Sequence, residues 1–491
     1  MNESNINRRG FITIAGGISG TALFPVQTSA AEKDWIRYSH EIPVIQPYDV
    51  VVCGGGPSGT AAALSARREG LRVLLVEGQG QLGGMGTSGL VSHWLGGRTS
   101  DCTRWVVGGL FRSMAEEAEK KGVALIPVPD STKKYQPHGW HQGQLGAGIP
   151  FDPYLMAHFL DTKIAEAGVD VLLLTQAVDV VVERNRITHV VVFNKSGLSA
   201  IPVKAVIDAT GDADIAARSG CKVIKGRESD GLMTPATLQF HVDNVDQDEL
   251  SDYIHEHDSP RFRKKIEELR AAGEWPFPFD IFISAQLTEK GTMFVNTSRL
   301  TGIDGTNGVS VTEGMIRGRE EILQLLKVMN KHFPGFAQAR LKAVAPLLGV
   351  RETRRIVGET ELTVDDLVSG REFDDTIGYS AYGWDLPDPK RPSYQPMTEK
   401  KVEKRKPVTP VPYRIMVPRP LINLICPGRA VCVERDVLGP LRVMAPCFAM
   451  GEATGLAAQQ VVRKNIAFRD VDVQVLRNKL RDNGAIVEWE D

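Results

Sequence analysis

Hydrophobic and polar positions change register several times along the chain, and each change marks an element. Asp49-Val50-Val51-Val52-Cys53 is an almost unbroken apolar run, as a strand covered on both faces requires. Thr60 to Glu69 is alanine-rich, has helical spacing and stops at Gly70. A second apolar run, Val73-Leu74-Leu75-Val76, ends at Glu77 and completes a strand-helix-strand unit. Phe151 to Gly168 reads as an amphipathic helix. Val169–Leu174, Ala177–Glu183, Thr188–Phe193 and Ala200–Val203 read as short strands of a meander turned at Asn185 and at Lys195–Gly197, and a further strand, Ala205–Ala209, follows.

At about Gly226 the pattern shifts. Strands Thr237–Val242 and Gly291–Asn296 flank charged helical segments, Glu249–His257 and Arg261–Ala272, and helical spacing resumes over Val311–His332. We therefore expect a nucleotide-binding domain that begins over residues 45–225, an inserted α+β substrate domain over 226–345, and an interface segment over 346–384. The Pro- and Lys-rich stretch 385–412 predicts a loop over the surface, with Lys400–Lys406 as a solvated face. Apolar character returns at Leu421–Cys426, and Met450–Val462 is a small-residue helix, so 413–470 should rejoin the first domain and 471–491 form a tail.

Composition narrows the partners. With 58 Lys and Arg against 60 Asp and Glu among 491 residues, the net charge of -2 gives no electrostatic footprint for nucleic acid. A small molecule is the expected partner. The six cysteines are scattered, with no CxxC and no metal-ligand spacing, so no disulfide framework or metal site is expected, and Cys53 reads as a small buried hydrophobe. Arg8-Arg9-Gly10-Phe11-Ile12, followed by an uncharged stretch to Ala31, resembles a bacterial twin-arginine signal covering residues 1–31. It implies export, to the periplasm or beyond. An uncleaved anchor helix is the alternative, although Gly16, Gly17, Gly20 and Pro25 interrupt the stretch. No later segment suggests an integral membrane helix.

The chemistry starts at Gly54-Gly55-Gly56-Pro57-Ser58-Gly59. Glycines at 54, 56 and 59 permit a tight turn between strand and helix and let backbone N–H groups, those of Pro57's neighbours and Ser58 included, approach a pyrophosphate. Glu77, at the end of the second strand, is placed to accept hydrogen bonds from ribose hydroxyls. This set specifies an adenine dinucleotide but does not separate FAD from NAD.

Resemblance separates them. Gln81-Leu82-Gly83-Gly84-Met85-Gly86-Thr87 looks like the loop that passes the FAD pyrophosphate in glutathione-reductase-type flavoproteins, and the meander leading to Thr210-Gly211-Asp212 is similar to their second signature, which would set Val178 beside the adenine. The run Leu348 to Glu359, the segments Gly428-Arg429 and Gly439 to Met444, and Met450 to Ala458, with Phe151-Asp152-Pro153 and Phe294 to Thr297, together resemble the FAD-dependent oxidoreductase family over residues 48 to 464. The resemblance implies a doubly wound α/β Rossmann-like FAD-binding domain, a parallel sheet plus a β-meander, and FAD as cofactor. It also implies that Arg442, Gly451 and Thr454 lie near the flavin.

A helix beginning near Met450 and Gly451 would aim its positive end at the flavin pyrimidine, with Gly451 and Gly455 allowing close approach, or would simply pack on the sheet. Arg442 either faces the flavin or forms a structural ion pair. Two departures from the family pattern stand out: Ala430 to Asp436 replaces a small-residue stretch with a Ser/Thr-His pair, and Asp385-Leu386-Pro387 stands where many members carry an acidic residue close to a histidine. His93 is the first choice for proton transfer, against a hydrogen-bonded structural role. Arg351 and Arg354 could bind a substrate carboxylate or, from one helix, pair with Glu352 and Glu359. Tyr135 to Gln142 has the aromatic and polar mix of a sugar-binding segment or of a lid.

The expectation is an FAD-dependent oxidoreductase that moves a hydride between flavin and a small polar substrate, sugar- or carboxylate-like. A separate electron acceptor or donor is implied, since no second GxGxxG with its own strand and acidic residue is present. The rivals are a hydratase, isomerase or eliminase retaining FAD, and a binding protein on a flavoprotein scaffold. The sequence leaves oligomeric state open.

Overall fold

A computed structural model describes residues 41–128 and 147–490, together with 36, 39, 132 and 134–138. The arginine pair with its uncharged stretch, and Gly139 to Gln142 of the aromatic segment, lie outside the described residues.

Strand β1 (Tyr48–Cys53) and strand β2 (Val73–Val76) run parallel, joined by helix α1 (Pro57–Arg68). Val50 to Cys53 are fully buried, which is why their run carries no polar alternation. Asp170–Leu172 lies outside β2, and the strand Gly197–Asp208 lies on the other side of β1. The two strands read at Ala200–Val203 and Ala205–Ala209 are one. Its first half pairs antiparallel with Arg186–Asn194, and its second half pairs parallel with β1 and with Leu424–Ile425. Pro202 does not break it. A strand that passes from the meander straight into the parallel sheet needs no turn, so the sequence break at Pro202 and Lys204 has no structural counterpart.

The face of α1 is a row of buried alanines, Ala61, Ala62, Ala63 and Ala66, against which the 21-residue helix Met444–Lys464 packs. A Cβ on Gly451 would stand 2.1 Å from the Ser58 carbonyl oxygen, and one on Gly455 would stand 2.4 Å from that of Ala62. These glycines therefore serve helix-helix contact, which corrects the expectation that they let the helix approach the flavin. The helix also begins six positions earlier than its small-residue pattern suggests, at Met444 rather than Met450, because Met444, Ala445, Pro446, Cys447 and Phe448 are all buried and present no polar register to read.

A second, antiparallel sheet has the order Ser284–Gln286, Met293–Val295, Phe240–Asp243, Arg340–Val344. Helices Gln247–His257, Arg263–Ala271 and Gly308–His332 accompany it, and an aromatic-rich core including Phe240, Phe262, Phe282, Phe333 and Phe336 fills the space between. Among the described residues no helix is long and apolar enough to cross a membrane.

Candidate active site

The turn after β1 is shaped by backbone crowding. Gly54 has φ +104°, and a Cβ there would lie 2.4 Å from the Ala209 carbonyl oxygen, while one on Gly59 would lie 1.7 Å from that of Gly54. Gly56 and Gly84 meet back to back, since a Cβ on Gly84 would stand 2.9 Å from the Gly56 Cα. No side chain caps α1, so the amides of its first turn stay available to an anion. Glu77 accepts from the Gly55 and Gln79 amides at 2.6 and 2.7 Å. Burial raises its pKa, and those amides oppose the shift.

Gly54, Gly56, Glu77, Gln79 and Gly84 line a cleft of about 300 Å³, with Pro57, Ser58, Met85, Thr210, Gly211 and Asp212. Asp212 is held by Arg429 at 2.6 Å and by the Thr353 hydroxyl at 2.8 Å. Buried Asp208 fixes the same turn, accepting from the Thr210 hydroxyl at 2.6 Å and from the Ile215 amide at 2.9 Å. Glycine turns, an uncapped helix start and a terminal carboxylate all face one elongated space, which fits a dinucleotide.

Two further cavities share walls with this cleft. The first, about 110 Å³, has Met85, Val350, Arg429, Arg442 and Met444 in common with it. The second, a chamber of about 700 Å³, meets the small one at Val91, His93, Leu95, Asn296, Arg351, Tyr382 and Asp385. The uncapped N-terminus of the Met444–Lys464 helix thus stands at the junction, with Arg442 two positions before it. The positive end of the helix dipole therefore lies at Met444 rather than at Met450.

His93 is 1% exposed, lies 4.7 Å from the Phe294 ring, and has no hydrogen-bond partner at either ring nitrogen among the described residues. The backbones of His138 and Ser92 lie against the ring and favour its charged form. Burial lowers its pKa to about 3, so the ring is neutral. Asp385 accepts from Arg442 and from the Tyr382 hydroxyl, both at 2.9 Å, and from Gln395 at 2.8 Å. Burial pushes its carboxyl up, but Arg442 and Arg351 hold it at about 2. Burial and Asp385 keep the Tyr382 phenol protonated. Arg351 donates to Pro235 and Asn296, both neutral acceptors.

Several expectations need correction. Arg351 and Arg354 are not on a helix: Arg351 is in irregular chain and Arg354 opens the strand Arg354–Ile356. Their acidic partners are not Glu352 and Glu359, which pair instead with Arg435 and Arg419. Arg354 is absent from the walls of all three cavities, which separates it from Arg351, and pairs at 3.0 Å with Asp214 on the cleft wall. Arg442 forms the ion pair, with Asp385 at 2.9 Å, and also lines the junction between the cavities. Val178 sits at an irregularity between Ala177 and Asp179, and Ala177 lines the cleft in its place. Gly59, Gly83, Gly451 and Thr454 are outside the cavity walls, and the Thr454 hydroxyl donates to the Gly451 carbonyl at 2.9 Å.

The stretch 385–412 is not simply a surface loop, because Asp385, Pro387 and Gln395 line the chamber. Nor is Lys400–Lys406 wholly solvated. Lys404 donates to the Tyr382 carbonyl at 3.0 Å, and burial lowers its pKa to about 8. The sequence reading missed Tyr382, Arg261 and Arg299. Asn296 sat inside a quoted motif, and Asp385 was noted only as a departure. No local pattern marks Arg261 or Arg299, whose placement depends on the second sheet.

Comparison with known proteins gives a concordant result. Residues 49–480 match the family model described as FAD dependent oxidoreductase. Digeranylgeranylglycerophospholipid reductase 1 of Methanococcoides burtonii is 27% identical over 225 residues, covering 42% of this chain and 48% of that protein. Thiamine thiazole synthase of Aeropyrum pernix is 32% identical over 182 residues, covering 35% of this chain and 57% of that one. The chain spans about half the length of these curated relatives. Among solved structures, a geranylgeranyl bacteriochlorophyll reductase-like protein of Thermoplasma acidophilum aligns over 90% of this chain and 85% of its own, at 14% identity and a TM-score of 0.44.

Proposed function

Because this chain belongs to the FAD dependent oxidoreductase family, we propose that it transfers a hydride between FAD and a small polar organic substrate bound in the chamber beside His93, Arg351, Tyr382 and Asp385. The observation that supports this reading is the sharing of walls: one series of side chains connects a dinucleotide-shaped cleft to a separate chamber through a junction at Met85, Arg442 and Met444. When bound, FAD supplies the two-electron chemistry. The glycine turn and the start of α1 hold its pyrophosphate, Glu77 its ribose, and Asp212 with Arg429 the far side of the cleft.

The chain's own part is to orient and to exclude water. The helix start at Met444 and the Arg442 guanidinium offer positive potential where reduced flavin is negative. Neutral His93 faces the substrate as proton acceptor or donor, while Tyr382, protonated and donating to Asp385, holds that carboxylate in place. In this reading the chain is exported with FAD already held, directed by the arginine pair near its start, and a separate redox partner completes the electron transfer. The test is the visible spectrum of purified protein followed by anaerobic exposure to polar alcohols, sugars and carboxylic acids. Bleaching of the oxidised-flavin band by one donor is expected. A protein that is colourless and does not take up added FAD overturns the reading.

A further inference from the structure

The inner wall of the chamber carries more cations than anions. Arg299 and Arg351 line it with Arg261, Arg442 stands at its junction, and among the described residues the acidic groups facing Arg299, Arg351 and Arg442 are Asp385 and, behind the Arg299 backbone, Glu321. Asp385 is already paired with Arg442 at 2.9 Å. Arg299 is 6% exposed, and its nearest acceptors are the carbonyls of Asn296, Thr297 and Ser298 and the Thr237 hydroxyl, while its Nε has no partner. Arg351 spends two contacts on the Pro235 carbonyl and the Asn296 amide oxygen, leaving most of its five donors open. The outer rim does not offset this, for Arg263 and Lys401 there are matched by Glu399 and Glu403.

Guanidinium groups removed from bulk water are costly unless an anion meets them. Desolvation lowers the pKa of Arg261, Arg299 and Arg351 alike. Ile281, Ile283, Phe294 and Trp384 supply apolar wall beside this charge. A chamber of about 700 Å³ that is cationic at its inner end and apolar along its sides matches an organic acid.

Resting on the flavin reading above, we infer that the substrate is an organic carboxylate whose carboxyl group is received in bidentate fashion by Arg351, with Arg299 and Arg261 adding positive potential behind it. The planar fork of a guanidinium fits a carboxylate. Asp385, fixed within the same cluster, disfavours the compact double charge of a phosphate by like-charge repulsion, whereas the two charges of a dicarboxylate are separated by its carbon chain.

The test is calorimetric titration of the full chain, as purified, with benzoate and succinate, against benzamide and succinamide as neutral isosteres and inorganic phosphate as the competing anion. The carboxylates are expected to bind one per chain, and the amides at least tenfold more weakly. Arg351→Gln should weaken benzoate at least tenfold, Arg351→Lys should recover part of that loss, and the exposed control Arg340→Gln should change nothing. An unaltered melting temperature in Arg351→Lys guards against misfolding as the cause. Equal binding of amide and acid, unchanged affinity in Arg351→Gln, or phosphate binding tighter than either carboxylate would each overturn the inference. Heat of binding does not depend on flavin colour, so the two readings fail separately. A yellow protein bleached by a neutral donor but deaf to carboxylates keeps the flavin reading and discards this one.

Discussion

The cleft and the chamber are built by opposite means. In the cleft the work is done by backbone amides, by glycines that have no room for a Cβ, and by the partial charge of a helix start, about half an elementary charge. Its strongest ion pair, Arg429 with Asp212 at 2.6 Å, is internally satisfied. In the chamber, side chains from separate segments, at 93, 261, 299, 351, 382 and 385, come together, and the arginines and Asp385 among them carry full charges. A backbone-made site tolerates almost no change, because each substitution moves the chain itself. A site made of side chains can be altered one group at a time, so substrate choice can vary while the cofactor site stays fixed.

The largest expected effect attacks the cleft. In Gly54→Ala the new Cβ would lie 2.4 Å from the Ala209 carbonyl oxygen at a φ of +104°. Overpacking plus a left-handed backbone cost about 3 kcal/mol or more. The variant should purify without flavin, or aggregate, whereas Arg351→Lys in the chamber should remain yellow. The comparison breaks if Gly54→Ala retains both its flavin absorbance and its melting temperature.

That asymmetry also governs what the sequence reveals. Val50 to Cys53, Gly54, Gly56, Gly59 and Glu77 fall within one strand-helix-strand unit, so spacing alone places them on a strand, a turn and a strand end. Thr210 to Asp212 follow another buried strand and are recognised the same way. Arg299 and Arg261 carry no such mark. They become a site only because the antiparallel sheet and the irregular chain around Arg351 and Asp385 fold over the junction, a matter of contacts distant in sequence. Gly451 and Gly455 show the converse. Their spacing was visible, but a small-residue pattern records close approach without saying to what, and the neighbour is α1 rather than flavin.

A middle-sized effect sharpens the contrast from the chamber side. Asp385→Asn removes the carboxylate that holds Arg442, Tyr382 and Gln395. Breaking one side of a largely buried pair costs about 3 kcal/mol, so the melting temperature should fall. The same change leaves the arginines with less opposing charge, so benzoate should bind more tightly, by a few-fold. Lower stability together with higher anion affinity is the signature of a charge cluster arranged for a ligand. A fall in both would make Asp385 part of the binding surface itself.

A last effect, confined to a pH window, compares buried Glu452 with half-buried Asp385. Asp385 has arginines beside it and sits at about 2, whereas Glu452, 2% exposed on the Met444–Lys464 helix, accepts one hydrogen bond, from the Leu110 amide at 2.9 Å, and is raised by burial to about 7. For Glu452 the protonated form is the one that folding favours. Its contribution is complete below the ordinary glutamate value of 4.5 and fades as pH rises toward about 7, because the unfolded chain gives up its proton first. At 1.36 kcal/mol per pKa unit the loss is about 3 kcal/mol. For Asp385 the sign reverses: its contribution is present above 3.8 and is lost as pH falls toward about 2. Melting temperatures across this range should therefore show the wild type losing stability between pH 5 and 7 by an amount that Glu452→Gln, neutral throughout, does not lose, while Asp385→Asn differs most from the wild type above pH 4. If Glu452→Gln follows the wild-type curve, Glu452 is ionised in the folded protein, and the helix start at Leu110 then stabilises its charge more than burial opposes it.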